Sequence, residues 1–374
     1  MKKIVIVGGG FAGVSALKIF LRAKSNLELI LLDRKNTFDF LPALPDVIGE
    51  RFKPDFLRFD LPNFCKRIGV RFINQEVKSI DFNRQTLGFD SQELSYDYLL
   101  LASGTQTNFY GNEKIGKQAY KLDSVSDAEN ILKAIRSNTF DTFIIVGGGY
   151  TGIEVATNIK RYSLRNGKKV KIIIIEKAPE LLSALPVWMK HYTKTNITTL
   201  GIEVLLNTSV VDIDNGNVKL SDGQRFNSAL LVWTAGVKAG EYIFKADSEK
   251  TLQGRLKVDR YLRINERCFA AGDTAAFFKN DTSLRMAVQF SLSEGIIAAQ
   301  NILKSIQKKE LIPYKPKDLG YIVPMANNKS CGLILGLKVK GFLATIFHYF
   351  MCIYRSYGLK NRLGLIINLL KGGV

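Results

Sequence analysis

The stretch KKIVIVGGGFAG, residues 2–13, decides the fold because it joins an apolar strand to a helix through a glycine-rich turn. Gly8, Gly10 and Gly13 stand in the frame G-x-G-x-x-G. The first glycine permits a conformation that a side chain would obstruct, the second admits the backbone close to a pyrophosphate, and the third lets helix and strand pack closely. The N-terminus of the helix then offers unpaired N–H groups to the phosphates. The stretch therefore predicts a dinucleotide-binding unit.

A second stretch of the same design, DTFIIVGGGYTGIE, occupies residues 141–154. Its glycines, Gly147, Gly149 and Gly152, stand in the same frame. One copy would be a weak signal, whereas two copies, each between a strand and a helix, are specific. We therefore predict an α/β chain with two Rossmann-like dinucleotide-binding domains, which pass electrons from one nucleotide to the other. The alternative is that one of the two units is vestigial and binds nothing.

An acidic residue ends the strand that follows each glycine turn and its helix. Asp33 comes after NLELILL, and Glu176 comes after KVKIIII. Each carboxylate is expected to accept hydrogen bonds from a ribose 2′-OH, which disfavours a 2′-phosphate. Glu176 therefore favours NADH over NADPH, although Lys160 and Lys177 lie near enough in sequence to keep NADPH as an alternative.

Composition limits the partners of this chain of 374 residues. A net charge of +19 attracts polyanions, namely nucleic acid, anionic lipid or nucleotide phosphates. The sequence has no helix-turn-helix, zinc-finger spacing or RNA-binding aromatic motif, so we expect no nucleic-acid partner. Four cysteines without a C-x-x-C pair, and two histidines without ligand-like neighbours, predict reduced thiols and no metal site. Met1 and two lysines lead directly into the first strand, which predicts a cytoplasmic protein without a signal peptide.

The C-terminal region combines apolar stretches with basic residues. GFLATIFHYFMCIY, residues 341–354, is a run of 14 residues without a charge. A spanning helix needs about 20 apolar residues, so this run is too short to cross a bilayer. Its apolar residues recur at helical spacing, and they predict a helix that lies in the interface of an anionic membrane. The alternative is a helix that packs in the core or forms a dimer. The flanking basic residues are Lys338, Lys340, Arg355, Lys360 and Arg362.

Several further strings resemble the FAD-dependent pyridine nucleotide-disulfide oxidoreductases and, among them, the type II NADH:quinone oxidoreductases. VWTAGVKA at 232–239 and LASGTQTNFYG at 101–111 are the more specific ones, and FLPALPDVIG, FAAGDTAAF and MAVQFSLSEG add to them. The similarity covers nearly the whole chain. It implies an NADH dehydrogenase that carries FAD and passes two electrons from NADH to a membrane quinone without pumping protons. It also implies peripheral attachment to the cytoplasmic face of the cell membrane.

The resemblance implies three regions. Residues 1–115 and 251–325 would form the FAD domain, residues 116–250 the NADH domain, and residues 326–374 a membrane-anchoring region. For Asp273, which would hydrogen-bond the ribityl or pyrophosphate part of FAD, the alternative is a helix N-cap before residues 274–276. The residues implied to bind FAD are Gly8, Gly10, Phe11, Ala12, Gly13, Asp33, Arg34, Pro42, Ala102, Ser103, Gly104, Gly272 and Asp273.

Glu154 matches a glutamate that lies near the nicotinamide in the family. Its carboxylate would orient the carboxamide or exchange protons, and the alternative is an acid that caps the first turn of its helix. Tyr150 matches an aromatic residue that covers the nicotinamide pocket in some relatives. The residues implied to bind NADH are Gly147, Gly149, Tyr150, Thr151, Gly152, Glu176, Ala235 and Gly236.

Gln289 matches the first glutamine of the family's A-Q-x-x-x-Q quinone motif and would contact the quinone. Val288 replaces the alanine and Ser293 replaces the second glutamine, so the hydrogen bonding of the quinone head group is expected to differ from the family pattern. One alternative is a sulfide:quinone oxidoreductase, for which Cys331 lies near the position of one of the reactive cysteines. Another is a non-catalytic membrane-bound redox or nucleotide sensor. A homodimer is a further expectation that the sequence leaves open.

Overall fold

A computed structural model describes residues 1–23, 26–90, 92–244 and 248–372 of the chain. The chain divides into two compact units. Unit 1 comprises Met1–Phe38, Asp60–Gln106 and Val237–Asp318, and unit 2 comprises Asp39–Phe59, Thr107–Gly236 and Leu319–Val374. The helices are α1 Phe11–Arg22, α2 Leu44–Ile48, α3 Leu61–Arg67, α4 Glu113–Gln118, α5 Val125–Arg136, α6 Tyr150–Arg165, α7 Val187–Thr199, α8 Val288–Ile306, α9 Phe342–Arg355 and α10 Leu359–Gly372.

Unit 1 is built on a parallel sheet of five strands. The first strand, Lys2–Val7, lies between the second strand along the chain and a later one. The glycine turn therefore leaves the sheet at the point where the strand order reverses, which is where open α/β sheets bind ligands. Helix α8 packs along α1, which starts at this turn. The strand order is Cys268–Ala270, Tyr98–Leu101, Lys2–Val7, Leu27–Asp33 and Arg71–Asn74.

Smaller sheets complete unit 1. A four-stranded sheet has the order Ile243–Phe244, Ser79–Asp81, Thr86–Phe89 and Gln92–Ser95. Its apolar residues extend the core of the main sheet, where Val5, Leu99 and Ile80 are fully buried. The two-stranded pairs are Leu256–Lys257 with Ala275–Ala276, and Phe278–Lys279 with Thr282–Ser283.

Unit 2 repeats the arrangement with a parallel sheet of four strands. The strand that precedes the second glycine turn, Thr142–Val146, again lies between its successor and a later strand. Most Ile and Val side chains of the two parallel sheets are buried, as expected of parallel strands that are covered on both faces. The order is Glu203–Leu205, Lys171–Ile175, Thr142–Val146 and Ala229–Trp233.

Two antiparallel sheets of three strands belong to unit 2. One follows α7, and the other precedes α9, which packs against it. Their strands are Val210–Asp214, Asn217–Leu220 and Arg225–Phe226, and then Gly320–Val323, Ser330–Ile334 and Leu337–Gly341. The short strands Thr37–Asp39, Arg58–Asp60, Thr105–Thr107 and Val237–Ala239 lie near the points where the chain passes between units.

The two units group the chain differently from the ranges suggested by the resemblance. Residues 39–59 and 319–374 pack within unit 2, and residues 237–250 pack within unit 1. Helix α8 begins at Val288, one residue before Gln289, and ends at Ile306. The assignment of one nucleotide to each domain stays a prediction.

In the described part of the chain, no helix has both the length and the apolar character needed to cross a membrane.

Candidate functional site

The first glycine turn of unit 1 is closed by its own backbone. Gly8 has a φ of +106°, a conformation that side chains rarely adopt, and a Cβ there would lie 2.3 Å from the carbonyl oxygen of Ala102. A Cβ on Gly13 would lie 1.9 Å from the carbonyl oxygen of Gly8. By contrast, a Cβ on Gly10 would meet no described atom within 4 Å. The turn is therefore filled on the inside and open at Gly10, where a pyrophosphate would approach.

The N-terminus of α1 suits an anion. Gly10 is the N-cap, no side chain caps the helix, and its first turn carries no acid. The N–H groups of the first turn, which have no acceptor within the helix, and the positive end of the helix dipole therefore face the open side of the turn. These observations fit a dinucleotide pyrophosphate. Phe11 and Ala12, in the first turn of α1, are buried.

Asp33 ties the turn to the strand that it ends. Its Oδ2 accepts the N–H of Gly9 at 2.7 Å, and its Oδ1 accepts the N–H of Lys35 at 2.8 Å. Burial raises the pKa of Asp33, and these two hydrogen bonds oppose that shift. The carboxylate therefore sets the shape of the turn besides its predicted contact with a ribose.

A groove of about 540 Å³ adjoins Asp33 in unit 1. Its size lies in the range of small-molecule pockets. Arg34 pairs with Glu76 at 3.2 Å on its rim. The other lining residues include Gly8, Lys78, Ser103, Gln106 and Tyr242, and Tyr242 has its pKa raised to about 12 by burial.

The strand end at Ala102–Gly104 and the turn Gly272–Thr274 meet in unit 1. The hydroxyls of Ser103 and Thr274 lie 3.1 Å apart, and Thr274 donates to the carbonyl of Gly104 at 3.3 Å. Asp273 lies inside a short 3-10 turn whose N-cap is Ala271, and residues 275–276 form a strand and not a helix. The N-cap alternative for Asp273 is therefore wrong.

Sequence reasoning missed two buried charged residues beside this turn. Glu294 of α8 accepts the N–H of Gly272 at 2.7 Å, and Arg255 donates to the carbonyl of Asp273 at 3.2 Å. Glu294 falls on the buried face of α8 with Phe290 and Ala298. The sequence signal that could have identified Glu294 is a charged residue among apolar residues that recur at helical spacing.

Unit 2 repeats the closed turn. Gly147 has a φ of +108°, and a Cβ on Gly152 would lie 1.9 Å from the carbonyl oxygen of Gly147. A Cβ on Gly149 would again meet no described atom within 4 Å. Gly149 is the N-cap of α6, without a side-chain cap or an acid in the first turn. The second turn therefore fits a pyrophosphate in the same way as the first.

In unit 2, Glu176 holds the glycine turn as Asp33 does in unit 1. Its Oε2 accepts the N–H of Gly148 at 2.6 Å, and its Oε1 accepts the N–H of Ala178 at 2.7 Å. Thr234, which sequence reasoning did not single out, donates to the carbonyl of Val146 at 2.7 Å.

The remaining predicted residues of unit 2 lie around this turn. A Cβ on Gly147 would come within 3.0 Å of the backbone nitrogen of Ala235. A Cβ on Gly236 would come within 2.1 Å of the Tyr110 hydroxyl. Thr151 is exposed, and the ring of Tyr150 packs edge-on to Tyr321 with 6.3 Å between centroids.

Glu154 is the fifth residue of α6, and the first turn of this helix holds no acid. The capping alternative for Glu154 is therefore wrong. Desolvation, helped by the carboxylate of Asp46, raises its pKa well above the ordinary value. Pro42, predicted beside FAD, lies in the turn Leu41–Ala43 of unit 2.

A second buried cluster in unit 2 surrounds Arg51, which is 1% exposed. Its guanidinium donates to the hydroxyl of Tyr349 and, at 2.9 Å, to the carbonyl of Ala326. Tyr349 in turn donates to Asp46 at 2.8 Å. This cluster connects α2 to α9. The sequence motifs gave no sign of it, because its members are about 300 positions apart.

Gln289 lies in the first turn of α8 in unit 1. Its amide nitrogen donates to Asp318 Oδ1 at 2.9 Å, and Arg285 donates to the same oxygen at 2.6 Å. A carboxylate can only accept, so this contact fixes which end of the amide faces Asp318. Ser293 shares a hydrogen bond with Tyr314 at 2.9 Å.

The described residues contain no group of three or more His, Cys, Asp or Glu arranged to hold a metal ion.

Known proteins resemble this chain over most of its length. A demethylphylloquinone reductase of Synechocystis is 26% identical, over 94% of this chain and 92% of that protein. A type II NADH:quinone oxidoreductase of Staphylococcus aureus is 24% identical, over 91% of each. The structure of NDH2 from Plasmodium falciparum in complex with NADH superimposes with a TM-score of 0.87, at 20% identity, over 99% of this chain and 98% of that one. The last likeness shows the shared fold.

The family comparison covers both glycine turns. Residues 2–301 match the pyridine nucleotide-disulphide oxidoreductases. That range includes the two parallel sheets, the acids that end their second strands, and the turn Gly272–Thr274. The chain belongs to the pyridine nucleotide-disulphide oxidoreductase family.

Proposed function

We propose that this chain is an FAD-dependent NADH dehydrogenase that passes two electrons from NADH to a membrane quinone without pumping protons. The observation that carries the proposal is the presence of two complete dinucleotide turns in one chain, at Gly8–Gly13 and Gly147–Gly152. The names of the Staphylococcus aureus and Synechocystis relatives support quinone as the acceptor. Bound FAD would supply the two-electron chemistry that links a nicotinamide to a quinone.

Unit 1 holds FAD in this proposal. The N–H groups at the start of α1 bind the pyrophosphate, and Asp33, in its groove, binds the adenosine ribose. Asp273, Ser103 and Gly104 contact the part of FAD nearer the ring. The contact between Ser103 and Thr274 supports this role, because it joins the two segments into one wall.

Unit 2 holds NADH. The turn at Gly147–Gly152 binds its pyrophosphate, and Glu176 accepts from the ribose hydroxyls. Two backbone N–H groups hold Glu176 in place. An ionised carboxylate there repels a 2′-phosphate, which favours NADH over NADPH.

Glu154 exchanges a proton near the nicotinamide. Its raised pKa, caused first by desolvation and then by Asp46, lets the side chain hold a proton closer to neutral pH than an exposed glutamate does. Reduction of a quinone to a quinol consumes one proton beyond the hydride that NADH supplies. Glu154 is the group of unit 2 that we assign to proton exchange.

Gln289 contacts the quinone in unit 1. Asp318 fixes the nitrogen end of its amide, and the oxygen end is then directed away from Asp318. Ser293 replaces the second glutamine of the family motif and is paired with Tyr314. Gln289 therefore carries the amide contact to the quinone head group without a second glutamine.

The C-terminal helices attach the protein to a membrane at its cytoplasmic side. Helix α9 buries Ala344, Thr345, Tyr349 and Cys352 and exposes most of its larger apolar side chains. This arrangement is the reverse of an ordinary surface helix, and it suits contact with lipid. The exposed apolar residues of α9 and α10 are Phe342, Leu343, Ile346, Phe347, Phe350, Tyr354, Leu359, Leu363, Ile366, Ile367 and Leu370.

Substitution tests this attachment better than deletion of residues 338–374. Deletion would remove Tyr349, which contacts Arg51 in the buried cluster. Exchange of both Phe347 and Phe350 for serine should weaken binding to vesicles with anionic lipid by roughly 10- to 30-fold. The reason is that each aromatic side chain that enters the lipid contributes about 1 kcal/mol to binding. Exchange of the exposed Leu164 for serine is the control. Unchanged vesicle binding with loss of a dimer would assign this face to self-association.

Steady-state kinetics test the proposal as a whole. The purified protein should be yellow and should oxidise NADH with a short-chain quinone at about 1 to 1000 turnovers per second. A yellow protein that shows no steady turnover of NADH with quinone would favour the sensor alternative.

The buried thiols argue against the sulfide:quinone alternative. All four cysteines are free, and Cys331 is buried against Thr193 at 3.5 Å. Burial also raises its pKa, which lowers the thiolate fraction that polysulfide chemistry requires. Full activity after Cys331→Ser would exclude this alternative.

A further inference from the structure

A carboxyl group without a part in the proposed function lies against the turn Gly272–Thr274 in unit 1. Glu294 is 2% exposed, and its Oε2 accepts the N–H of Gly272 at 2.7 Å. Gly272 has a φ of +72°, and a Cβ there would come within 3.2 Å of both Ala12 and Ser291. Glu294 therefore holds a turn whose shape depends on glycine.

Arg255 holds the other end of the same turn. It is 4% exposed and donates to the carbonyl oxygens of Asp273 at 3.2 Å, Ala275 at 2.5 Å and Leu284 at 3.0 Å. Together, Glu294 and Arg255 fix the backbone on both sides of Asp273. Small shifts of this backbone would move the Asp273 carboxyl. Glu294 and Arg255 therefore determine where that carboxyl lies.

The charges of this cluster do not balance. Two carboxyl groups, Asp273 and Glu294, interact electrostatically with one guanidinium, that of Arg255, which donates its hydrogen bonds to backbone carbonyls. Desolvation raises the pKa of Glu294 to about 8, opposed by the Gly272 N–H and by Arg255, and it also raises the pKa of Asp273. The Asp273 carboxylate raises the pKa of Glu294 further, by a smaller contribution than desolvation. The pair therefore holds a proton at neutral pH.

The surroundings of Glu294 contribute few other charges. Helix α1 carries Lys18 and Arg22, and both are exposed. Tyr314, which lies near Glu294, has its pKa raised by desolvation and stays neutral. The adjoining strands bring Cys268 and Tyr98 as titratable side chains.

Helices α8 and α1 connect this cluster to the first glycine turn. A Cβ on Gly295 would lie 2.2 Å from the carbonyl oxygen of Ala12, so α8 and α1 touch at the first turn of α1. A pyrophosphate at that turn brings two negative charges. A second ionised carboxyl behind the turn would oppose them, whereas a protonated one would not.

We propose that Glu294 is a positioning residue of the FAD site, and that tight binding of FAD requires the proton held by the Glu294–Asp273 pair. The proposal rests on the proposed function, since it takes FAD as the occupant of unit 1. The sign follows from linkage. A group that is protonated more readily when FAD is bound supports full affinity below its pKa in the FAD-free protein, and affinity falls as the pH rises through that value.

Dilution of the full-length holoenzyme at pH 6.5 to 9.5 tests this proposal, with free FAD measured by its fluorescence. The dissociation constant of the wild type should be flat up to about pH 7.5 and should then rise by up to about tenfold per pH unit. Glu294→Gln keeps an acceptor for Gly272 and cannot ionise. Its constant should stay within about threefold of the wild-type value at pH 6.5 and remain flat to pH 9.5.

Two further variants separate charge from position. Glu294→Leu removes the acceptor as well as the charge, and it should weaken FAD binding about tenfold at every pH. Glu266→Gln removes an exposed charge of unit 1 and should reproduce the wild-type profile. Thermal unfolding of each variant shows that it is folded.

The same rise with pH in Glu294→Gln as in the wild type would overturn the role of the proton. FAD binding by Glu294→Leu as tight as that of Glu294→Gln would overturn the positioning role. A wild type that binds no FAD at any pH would instead contradict the proposed function.

Discussion

The two glycine turns are nearly superimposable in their internal geometry. Gly8 and Gly147 have φ angles of +106° and +108°. A Cβ on the last glycine of either turn would lie 1.9 Å from the carbonyl oxygen of the first. The acid that ends the following strand accepts the middle N–H of the turn at 2.7 Å in unit 1 and at 2.6 Å in unit 2. The motif and its acid thus determine the same backbone twice.

The surroundings of the two turns differ. A Cβ on Gly8 would lie 2.3 Å from the Ala102 carbonyl, whereas a Cβ on Gly147 would lie 3.0 Å from its nearest neighbours. Unit 1 adds the turn Gly272–Thr274 with its buried arginine, Arg255, and unit 2 buries its arginine, Arg51, against the C-terminal helix α9. The comparison indicates that the turn forms the nucleotide-binding backbone in both units, whereas the surrounding residues determine how each site is used. In our account, unit 1 retains FAD and unit 2 exchanges NADH.

The largest expected effect comes from Arg51 in unit 2. Arg51→Met leaves Asp46 and Tyr349 buried without their cation, which should lower the free energy of unfolding by about 3–5 kcal/mol. Urea denaturation of the FAD-saturated protein measures this loss. Arg84→Met, on the surface, is the control. A loss below about 1 kcal/mol would mean that the cluster is not a stabilising element of unit 2.

Matched alanine substitutions separate the two turns. Each added Cβ would overlap a carbonyl oxygen, and relief of such overpacking costs about 1–3 kcal/mol, or roughly 5- to 150-fold in affinity. Gly13→Ala should weaken FAD binding by this factor. Gly152→Ala should keep its FAD and raise the KM for NADH by the same factor. Loss of FAD from Gly152→Ala would contradict the division of tasks.

The two acids should differ in their effect on nucleotide preference. Glu176→Gln removes the charge that repels a 2′-phosphate, and the preference for NADH over NADPH, as a ratio of kcat/KM, should fall about tenfold. Asp33→Asn should leave this ratio unchanged and affect the retention of FAD. An equal change of the ratio in both variants would speak against NADH in unit 2.

The smallest effect concerns the acceptor. Asp318→Ala releases the amide of Gln289, and loss of one such hydrogen bond costs about 1 kcal/mol, or roughly fivefold in the KM for quinone. The rate at which NADH reduces the flavin should stay the same, because neither Asp318 nor Gln289 is assigned to the NADH site. Lys317→Ala, next to it in sequence, is the control. A change in flavin reduction with an unchanged quinone KM would remove Gln289 from the acceptor site.

The sequence predicted the features that depend on short-range geometry. The glycine frames fix φ angles and close approaches within a few residues, so both turns, both acids and the parallel sheets were predictable. The long-range partners were not. Arg51 and Tyr349 are 298 positions apart, and neither stands in a motif. Glu294 stands in the string MAVQFSLSEG, but its partner Gly272 belongs to another segment, so the string alone does not reveal the contact.

Helix α9 shows a second limit. Its apolar residues predicted an amphipathic helix, and the helix is present from Phe342 to Arg355. The direction in which such a helix faces depends on packing with other segments. Here Ala344, Thr345, Tyr349 and Cys352 face inward, whereas Phe347 and Phe350 are exposed.

Anaerobic titration of the purified protein with NADH tests the central claim most directly. Two working nucleotide sites in one chain should bleach the flavin absorbance completely at one NADH per FAD, and addition of a quinone should restore it. A flavin that stays oxidised while NADH is bound would contradict the account.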